Sequence, residues 1–225
     1  WCAPQPCASI VIDDPNLHAF TYGSVDYRQL LEVSRETGCH FSIATVPLDL
    51  YYTKQKVVEL FRANTKNLSL LFHGNDHIKH ELGRTNEQDA LRMIAQAVGR
   101  VEAFEKRFLL HVSRVMAPPH GAFLDCVAKA LDSFGFEAVC SSYGALACYN
   151  SEKEVVRSLG ASHLETMHNL LILPRFGMNE NVEFACFASA FFGRHLIASG
   201  HQEDFADRDN TMKLVEAINR YVGSR

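Results

Sequence analysis

The chain has 225 residues, a length that fits one large domain or two small ones. Hydrophobic residues make up 47% and charged residues 21% of it, which excludes a disordered or fibrous protein. The formal net charge is −4, and no run of lysine and arginine exceeds two residues. The longest apolar runs are far shorter than the roughly 20 residues that span a bilayer. We therefore expect no nucleic acid and no membrane among its partners.

Short apolar segments alternate with helical patterns along the chain. Seven segments are predicted as strands, and most are continuously apolar, which is typical of parallel strands covered on both faces. The predicted strands are 9–12, 40–46, 68–72, 112–117, 138–141, 170–173 and 195–199. Six segments are predicted as helices from their apolar periodicity. These helices are 26–37, 55–64, 86–108, 122–134, 182–192 and 211–222. The stretches 139–151 and 158–168 are irregular and are predicted as loops or short insertions.

This alternation predicts a single α/β domain over residues 1–225. An open doubly wound sheet and a barrel both produce it. No glycine-rich turn follows the first predicted strand, which disfavours a dinucleotide-binding sheet. We therefore favour a barrel-like β/α fold.

Polar and ionisable residues follow five of the seven predicted strands. In parallel α/β barrels the carboxyl ends of the strands meet at one face, where active sites lie. The five segments are Asp13-Asp14-Pro15-Asn16, His73-Gly74-Asn75-Asp76-His77, Pro118-Pro119-His120-Gly121, Pro174-Arg175-Phe176-Gly177 and Gly200-His201-Gln202-Glu203-Asp204. Their convergence predicts a functional site at this face.

His73 and His77 form a His-x-x-x-His pair after the third predicted strand. If the segment is helical, both rings lie on one face, as two ligands of one metal ion require. The alternative is a solvated loop that happens to hold two histidines. A carboxylate from the first strand would complete an Asp-His-His set with positions left for water and substrate.

Asp13 and Asp14 are adjacent acids at the end of a buried strand. Because neighbouring strand residues point in different directions, one can bind metal while the other accepts a proton from water as general base. The alternative is that one of them only caps the loop that begins at Pro15.

Taken in order, these motifs resemble the polysaccharide deacetylase superfamily, in particular the carbohydrate esterase family 4 (CE4) type. The resemblance extends from about residue 9 to residue 205 and suits a divergent member. It implies a distorted, TIM-like (β/α)7 barrel in one domain and a carbohydrate or small amide as substrate. It also implies a divalent metal, most often Zn²⁺, with Co²⁺, Ni²⁺, Mn²⁺ and Fe²⁺ as alternatives.

The resemblance implies a role for each residue by its position in the motifs. Asp14, His73 and His77 would hold the metal, Asp13 would be the base, and His201 would protonate the leaving group.

Four residues are predicted to contact substrate. Pro119 and His120 match the turn that lines the family's substrate groove, although His120 replaces a more common aromatic residue. Asn16 and His18 lie just beyond the first strand, at the mouth of the site.

The sequence departs from the family pattern before the Pro-Pro turn. The family usually has an arginine there, which holds the catalytic base, whereas this chain has Ala117. Arg175, after the sixth predicted strand, is the candidate to supply the missing guanidinium. The family's Asp-and-Trp motif has no counterpart, since the only tryptophan is Trp1.

The residues predict a metal site, and the resemblance implies a metal-dependent amidohydrolase, acting on C–N bonds other than peptide bonds, that removes an acetyl group from an N-acetylated sugar or related amide. Two alternatives stay open. One is a carbohydrate-binding pseudoenzyme, and the other is an iron oxygenase with two histidines and one carboxylate. Oxygenases of that kind usually have antiparallel jelly rolls, which the alternating pattern disfavours.

The cysteines and the first residues bear on location. Seven cysteines cannot form a complete set of disulfides, and residues 1–8 lack the segments of a signal peptide. We therefore expect a cytoplasmic rather than a secreted protein, and the sequence leaves its oligomeric state open.

Overall fold

The computed structural model describes residues 7–150, 165–178 and 181–222. The described strands are β1 (Ala8–Asp13), β2 (Thr21–Tyr22), β3 (Val25–Asp26), β4 (Phe41–Thr45), β5 (Leu68–Phe72), β6 (Val112–Met116), β7 (Ala138–Ser141), β8 (Glu165–Met167), β9 (Leu170–Pro174), β10 (Phe176–Gly177) and β11 (Leu196–Gly200). The described α-helices are α1 (Tyr27–Thr37), α2 (Gln55–Ala63), α3 (Glu87–Phe108), α4 (Asp125–Ser133), α5 (Tyr143–Tyr149), α6 (Val182–Phe191) and α7 (Arg208–Val222). Among these residues, no helix is both long and apolar enough to cross a membrane.

All seven predicted strands are present, and their ends lie within one residue of the prediction. The six predicted helices are also present, and their ends lie within three residues of the prediction. The prediction of a loop over 139–151 was wrong, because α5 occupies its centre. The Ser142 side chain caps this helix by accepting a hydrogen bond from the Ala145 N–H at 3.1 Å. Only Leu146 of α5 is fully buried. A short helix that buries one side chain does not need the apolar periodicity by which the other helices were predicted. In the second irregular stretch, 158–164 lies outside the described residues and β8 follows it.

Seven strands form a parallel sheet in the order β11-β1-β4-β5-β6-β7-β9. The chain then continues from β9 through Arg175 into β10, and β10 pairs in parallel with β11. The segment from Leu170 to Gly177 therefore touches both ends of the sheet and links them into a ring. This arrangement confirms the predicted α/β fold, a distorted (β/α)7 barrel. β8 adds one antiparallel strand beside β9.

The barrel has an outer and an inner apolar layer because alternate strand residues face opposite sides. The outer layer packs the strands against the helices and is the main core. The inner cluster is small and consists of Val11, Ala44, Leu71, Ala117, Cys140 and Ile197. At one side of it, the Ser9 and Ser69 hydroxyls lie 3.1 Å from that of Ser42. At the other side, where the strands end, lie the ionisable residues of the site.

Candidate active site

The ionisable residues predicted from the strand ends lie together at the carboxyl edge of the barrel. Asp13 is the last residue of β1, His73 directly follows β5, and Arg175 lies between β9 and β10. His201 directly follows β11, and the pairing of Ile12 with Gly200 brings it beside Asp13. Residues that are far apart in sequence are therefore close in space, because the strands that precede them are adjacent in the sheet.

Asp14, His73 and His77 form a cluster that could hold a metal ion. Their ligand atoms all lie within 4.8 Å of one another, and this is the one such cluster in the described part of the chain. Oδ1 of Asp14 is 3.2 Å from Nε2 of His73 and 3.1 Å from Nε2 of His77. One carboxylate and two imidazoles suit a divalent transition metal and leave positions for water and substrate.

The surroundings of His73 fit a metal ligand. Its ring is 1% exposed, and Nδ1 lies 2.8 Å from the Ala117 carbonyl oxygen. A carbonyl only accepts hydrogen bonds, so Nδ1 is the donor here, and Nε2 is the ring nitrogen that a metal would bind. Nε2 is buried without a hydrogen-bond partner among the described residues. Buried polar atoms normally have a partner, and a metal ion would provide one here.

The segment that carries both histidines is not helical, contrary to the condition set by the sequence pattern. Gly74 and His77 have φ angles of 67° and 55°, in the left-handed region, and the segment is a loop. The two Nε2 atoms nevertheless converge on the same oxygen of Asp14. The spacing therefore predicted the cluster, although the conformation that forms it is different.

Asp13 and Asp14 point to different partners, as expected for neighbours at a strand end. Asp14 has a φ of 81°, a costly conformation for a residue with a side chain, and it faces the histidines. Asp13 is 3% exposed and accepts a hydrogen bond from Nη1 of Arg175 at 2.8 Å. Arg175 thus brings a guanidinium to Asp13, while Ala117 is buried in the inner apolar cluster.

Both carboxylates are held in the ionised form. Burial by itself would raise the pKa of Asp13, but the Arg175 charge and hydrogen bond and the nearby His73 and His201 lower it overall. Burial also opposes ionisation of Asp14, whose pKa is lowered by His73, His77 and His201. The site therefore contains one carboxylate facing a cation and another facing two imidazoles.

His201 is exposed at the rim of the site. Its backbone N–H donates to Oδ2 of Asp204 at 2.9 Å, which fixes the start of the short 3₁₀ helix Gln202–Phe205. Asp204 therefore orients the backbone at His201 rather than charging its ring directly. The ring is exposed and can be reached by a group that enters from solvent.

Compared by sequence alone, the chain matches no family model and no curated protein. A Mycobacterium smegmatis structure assigned as a polysaccharide deacetylase is 13% identical, with a TM-score of 0.65, over 100% of this chain and 86% of that one. The Bc1960 peptidoglycan N-acetylglucosamine deacetylase is 12% identical, with a TM-score of 0.56, over 99% and 86%. BA3943 of Bacillus anthracis, a CE4 family pseudoenzyme, is 9% identical, with a TM-score of 0.53, over 97% and 62%.

The chain has the CE4 fold. Identities of this size establish the fold alone, and the neighbours include a pseudoenzyme as well as named deacetylases. The resemblance seen in the sequence is thus confirmed at the level of the fold, in a divergent form.

Two of the four predicted substrate residues, His120 and Pro119, lie beside the candidate metal cluster of Asp14, His73 and His77. The His120 ring lies 5.0 Å from that of His77, and its φ of 55° is left-handed. Pro119 is buried, and its ring lies 2.7 Å from where a Cβ at Gly74 would be. Its observed contact is therefore with the loop of residues 73–77 that carries both histidines, which we call the metal loop. The Asn16 side chain accepts a hydrogen bond from the His18 N–H at 3.1 Å. Contact of these residues with a substrate stays a prediction.

Sequence reasoning missed two residues near the metal cluster, Asp49 and Glu81. Asp49 lies after β4, and its carbonyl oxygen is 2.8 Å from Nε2 of His18. Burial and the charge of Asp14 raise the pKa of Asp49, although His18 and His77 oppose this. The end of β4 could have been read like the other strand ends, which would have found it.

Glu81, the other missed residue, lies after His77, as does His80, for which the sequence favoured an exposed position. His80 is half-buried, with its ring 5.0 Å from that of His120 and Nδ1 3.0 Å from the Tyr149 hydroxyl. Glu81 contacts the metal loop through its carboxylate. No motif marks either residue, because their contacts depend on a loop conformation that the spacing does not encode.

Proposed function

We propose that this chain is a metal-dependent amidohydrolase that removes an acetyl group from an N-acetylated sugar, with Zn²⁺ held by Asp14, His73 and His77. The observation that carries the proposal is the buried Asp13–Arg175 pair beside the metal cluster. A general base must be ionised and held in place, and the ion pair with Arg175 supports both for Asp13. A structural neighbour named as a peptidoglycan N-acetylglucosamine deacetylase supports the substrate class.

The side chains have distinct roles in this proposal. A bound divalent ion would lower the pKa of water and polarise the acetyl carbonyl. Asp13 takes a proton from the attacking water, and Arg175 keeps that carboxylate charged and aligned. His201, in its protonated form, gives a proton to the amine nitrogen as the C–N bond breaks. The products are acetate and the free amine of the sugar.

A binding protein without activity is the second candidate. It is favoured by Ala117, which stands where the family usually has arginine, and by the pseudoenzyme among the neighbours. The contact between Arg175 and Asp13 argues against it, because a guanidinium reaches the base from another strand.

Acetate release from N-acetylated chito-oligosaccharides tests the proposal. We expect release by the zinc-loaded protein, loss after chelation, and recovery when zinc is returned. His77→Ala serves as the control without an intact metal cluster. Stoichiometric zinc without acetate release from these substrates would favour the binding protein, whereas absence of zinc binding would overturn the metal site itself.

A further inference from the structure

Three successive backbone N–H groups of the metal loop converge on the carboxylate of Glu81. Oε1 accepts hydrogen bonds from Asn75 at 2.7 Å and from His77 at 3.2 Å, and Oε2 accepts one from Asp76 at 3.1 Å. Such a concave group of N–H donors is a typical binding site for an anion. Here the anion is a side chain of the protein itself, four residues after the metal ligand His77.

Gly74 provides the room for this carboxylate. A Cβ at Gly74 would lie 2.1 Å from Oε1 of Glu81 and 2.7 Å from the Pro119 ring. The φ of Gly74 is 67°, in the region that favours glycine. The residue after His73 is therefore fixed as glycine by two requirements, and one of them is the position of Glu81.

Helix α3 holds the other side of the same loop. Nη1 of Arg100 donates to the Asn75 carbonyl oxygen at 3.2 Å and to its Oδ1 at 2.7 Å, and it also contacts Asp76. The Asn75 amide donates to Oε1 of Gln96 at 2.8 Å, and Asn75 is 3% exposed. The loop between the two histidines is thus held by an anion on its N–H groups and a cation on its oxygens.

From this arrangement we propose that Glu81 is a positioning residue, which places His77 for metal binding before any metal arrives. The proposal rests on the metal site put forward above. The three hydrogen bonds to Glu81 hold the loop in its left-handed turn at His77, so the imidazole meets Asp14 without rearrangement. Without Glu81, metal binding must also order the loop, and the metal affinity falls.

Amide hydrogen exchange in the metal-free protein tests the first half of this proposal. We expect the N–H groups of Asn75, Asp76 and His77 to exchange slowly in the wild type and much faster in Glu81→Ala. Glu81→Gln should lie between, because an amide offers one acceptor oxygen instead of two. Glu102→Gln, at an exposed position of α3, is the matched control and should leave these amides unchanged.

Zinc affinity, measured by competition with a chromophoric chelator, tests the second half. We expect Glu81→Ala to weaken zinc binding by about 10- to 100-fold, the usual effect of losing a residue that supports a metal ligand. Glu81→Gln should lose less zinc affinity than Glu81→Ala. It keeps the proposal testable if Glu81→Ala fails to fold. With saturating zinc, much of the lost kcat should return, because the proposed role of Glu81 is exerted through the position of His77.

The two measurements separate failure of this proposal from failure of the proposed function. Unchanged exchange at the three amides in both variants, or unchanged zinc affinity, would overturn the role of Glu81. Zinc binding that depends on Glu81, without acetate release, would overturn the deacetylase and support the role of Glu81. The exchange measurement needs no zinc, so it remains informative if the wild type binds none. In that case, fast exchange at the three amides of the wild type would overturn the positioning role.

Discussion

The Asp13 carboxylate is buried at the barrel edge and held by one cation, Arg175, while its neighbour Asp14 faces the two histidines. This division follows from the strand ending between them, which turns adjacent side chains in different directions. Proton transfer and metal binding are therefore assigned to different carboxylates, and substitutions separate them.

Asp13→Asn should abolish acetate release without loss of zinc. The amide cannot take a proton, and a general base contributes about 10²- to 10⁴-fold to a rate. Metal content and acetate release are measured on the same preparation. Loss of zinc in this variant would mean that Asp13 is a ligand and that the assigned roles are wrong.

Arg175→Gln should leave a buried carboxylate without its cation. We expect the free energy of unfolding to fall by about 3–5 kcal/mol, the usual cost of removing one partner of a buried ion pair. Denaturant unfolding measures this. The double variant Asp13→Asn/Arg175→Gln, which removes both charges, should recover much of the loss. Equal destabilisation in the single and double variants would show that the pair is not coupled.

The sequence predicted those site residues that lie at the ends of the strands. Asp13, Asp14, His73 and His201 follow apolar strands, and parallel strands bring their ends together. The pairing of Arg175 with Asp13 was a hypothesis from a missing arginine, and the structure shows the contact. Asp49 was missed because the end of β4 was not examined as the other strand ends were, and Glu81 because loop conformation, rather than spacing, brings it to the site.

At the scale of elements, α3 supports the metal loop because it carries Arg100 and Gln96. Its periodicity was clear in the sequence, and its observed start is within one residue of the prediction. The left-handed turn at His77 was not predicted, since it depends on contacts with Glu81. Regular elements were thus predictable from local patterns, whereas the loops between them were not.

Asn86→Ala should destabilise α3 without changing the metal site. The Asn86 side chain accepts a hydrogen bond from the Asp89 N–H at 3.0 Å, and loss of such a cap costs about 1 kcal/mol. The expected result is a lower melting temperature with unchanged zinc affinity. Asn86→Ser, which keeps an acceptor, should restore most of the stability. No difference between the alanine and serine variants would contradict this account.

At the scale of the whole molecule, the ring of strands is completed where Arg175 joins β9 to β10. The same residue contacts the proposed base, so the closure of the barrel and the geometry of the site depend on one position. The inner apolar cluster beneath the site is small, and the strand ends remain available for polar residues.

Zinc should stabilise the whole fold because its proposed ligands follow two separate strands, β1 and β5. At a free zinc concentration of 100 times Kd, the free energy of unfolding should rise by about 2.7 kcal/mol. Thermal unfolding with and without zinc measures this change. His77→Ala should show a much smaller shift, and an equal shift in that variant would place the metal elsewhere.

Anomalous X-ray diffraction at the zinc absorption edge, from crystals of the zinc-loaded protein, tests the metal centre most directly. We predict one strong peak within about 2.0–2.2 Å of a carboxylate oxygen of Asp14 and Nε2 of His73 and His77. Asp13 should remain bonded to Arg175 and outside the coordination sphere. A peak bound by Asp13, or no peak at the Asp14, His73 and His77 cluster, would contradict the account.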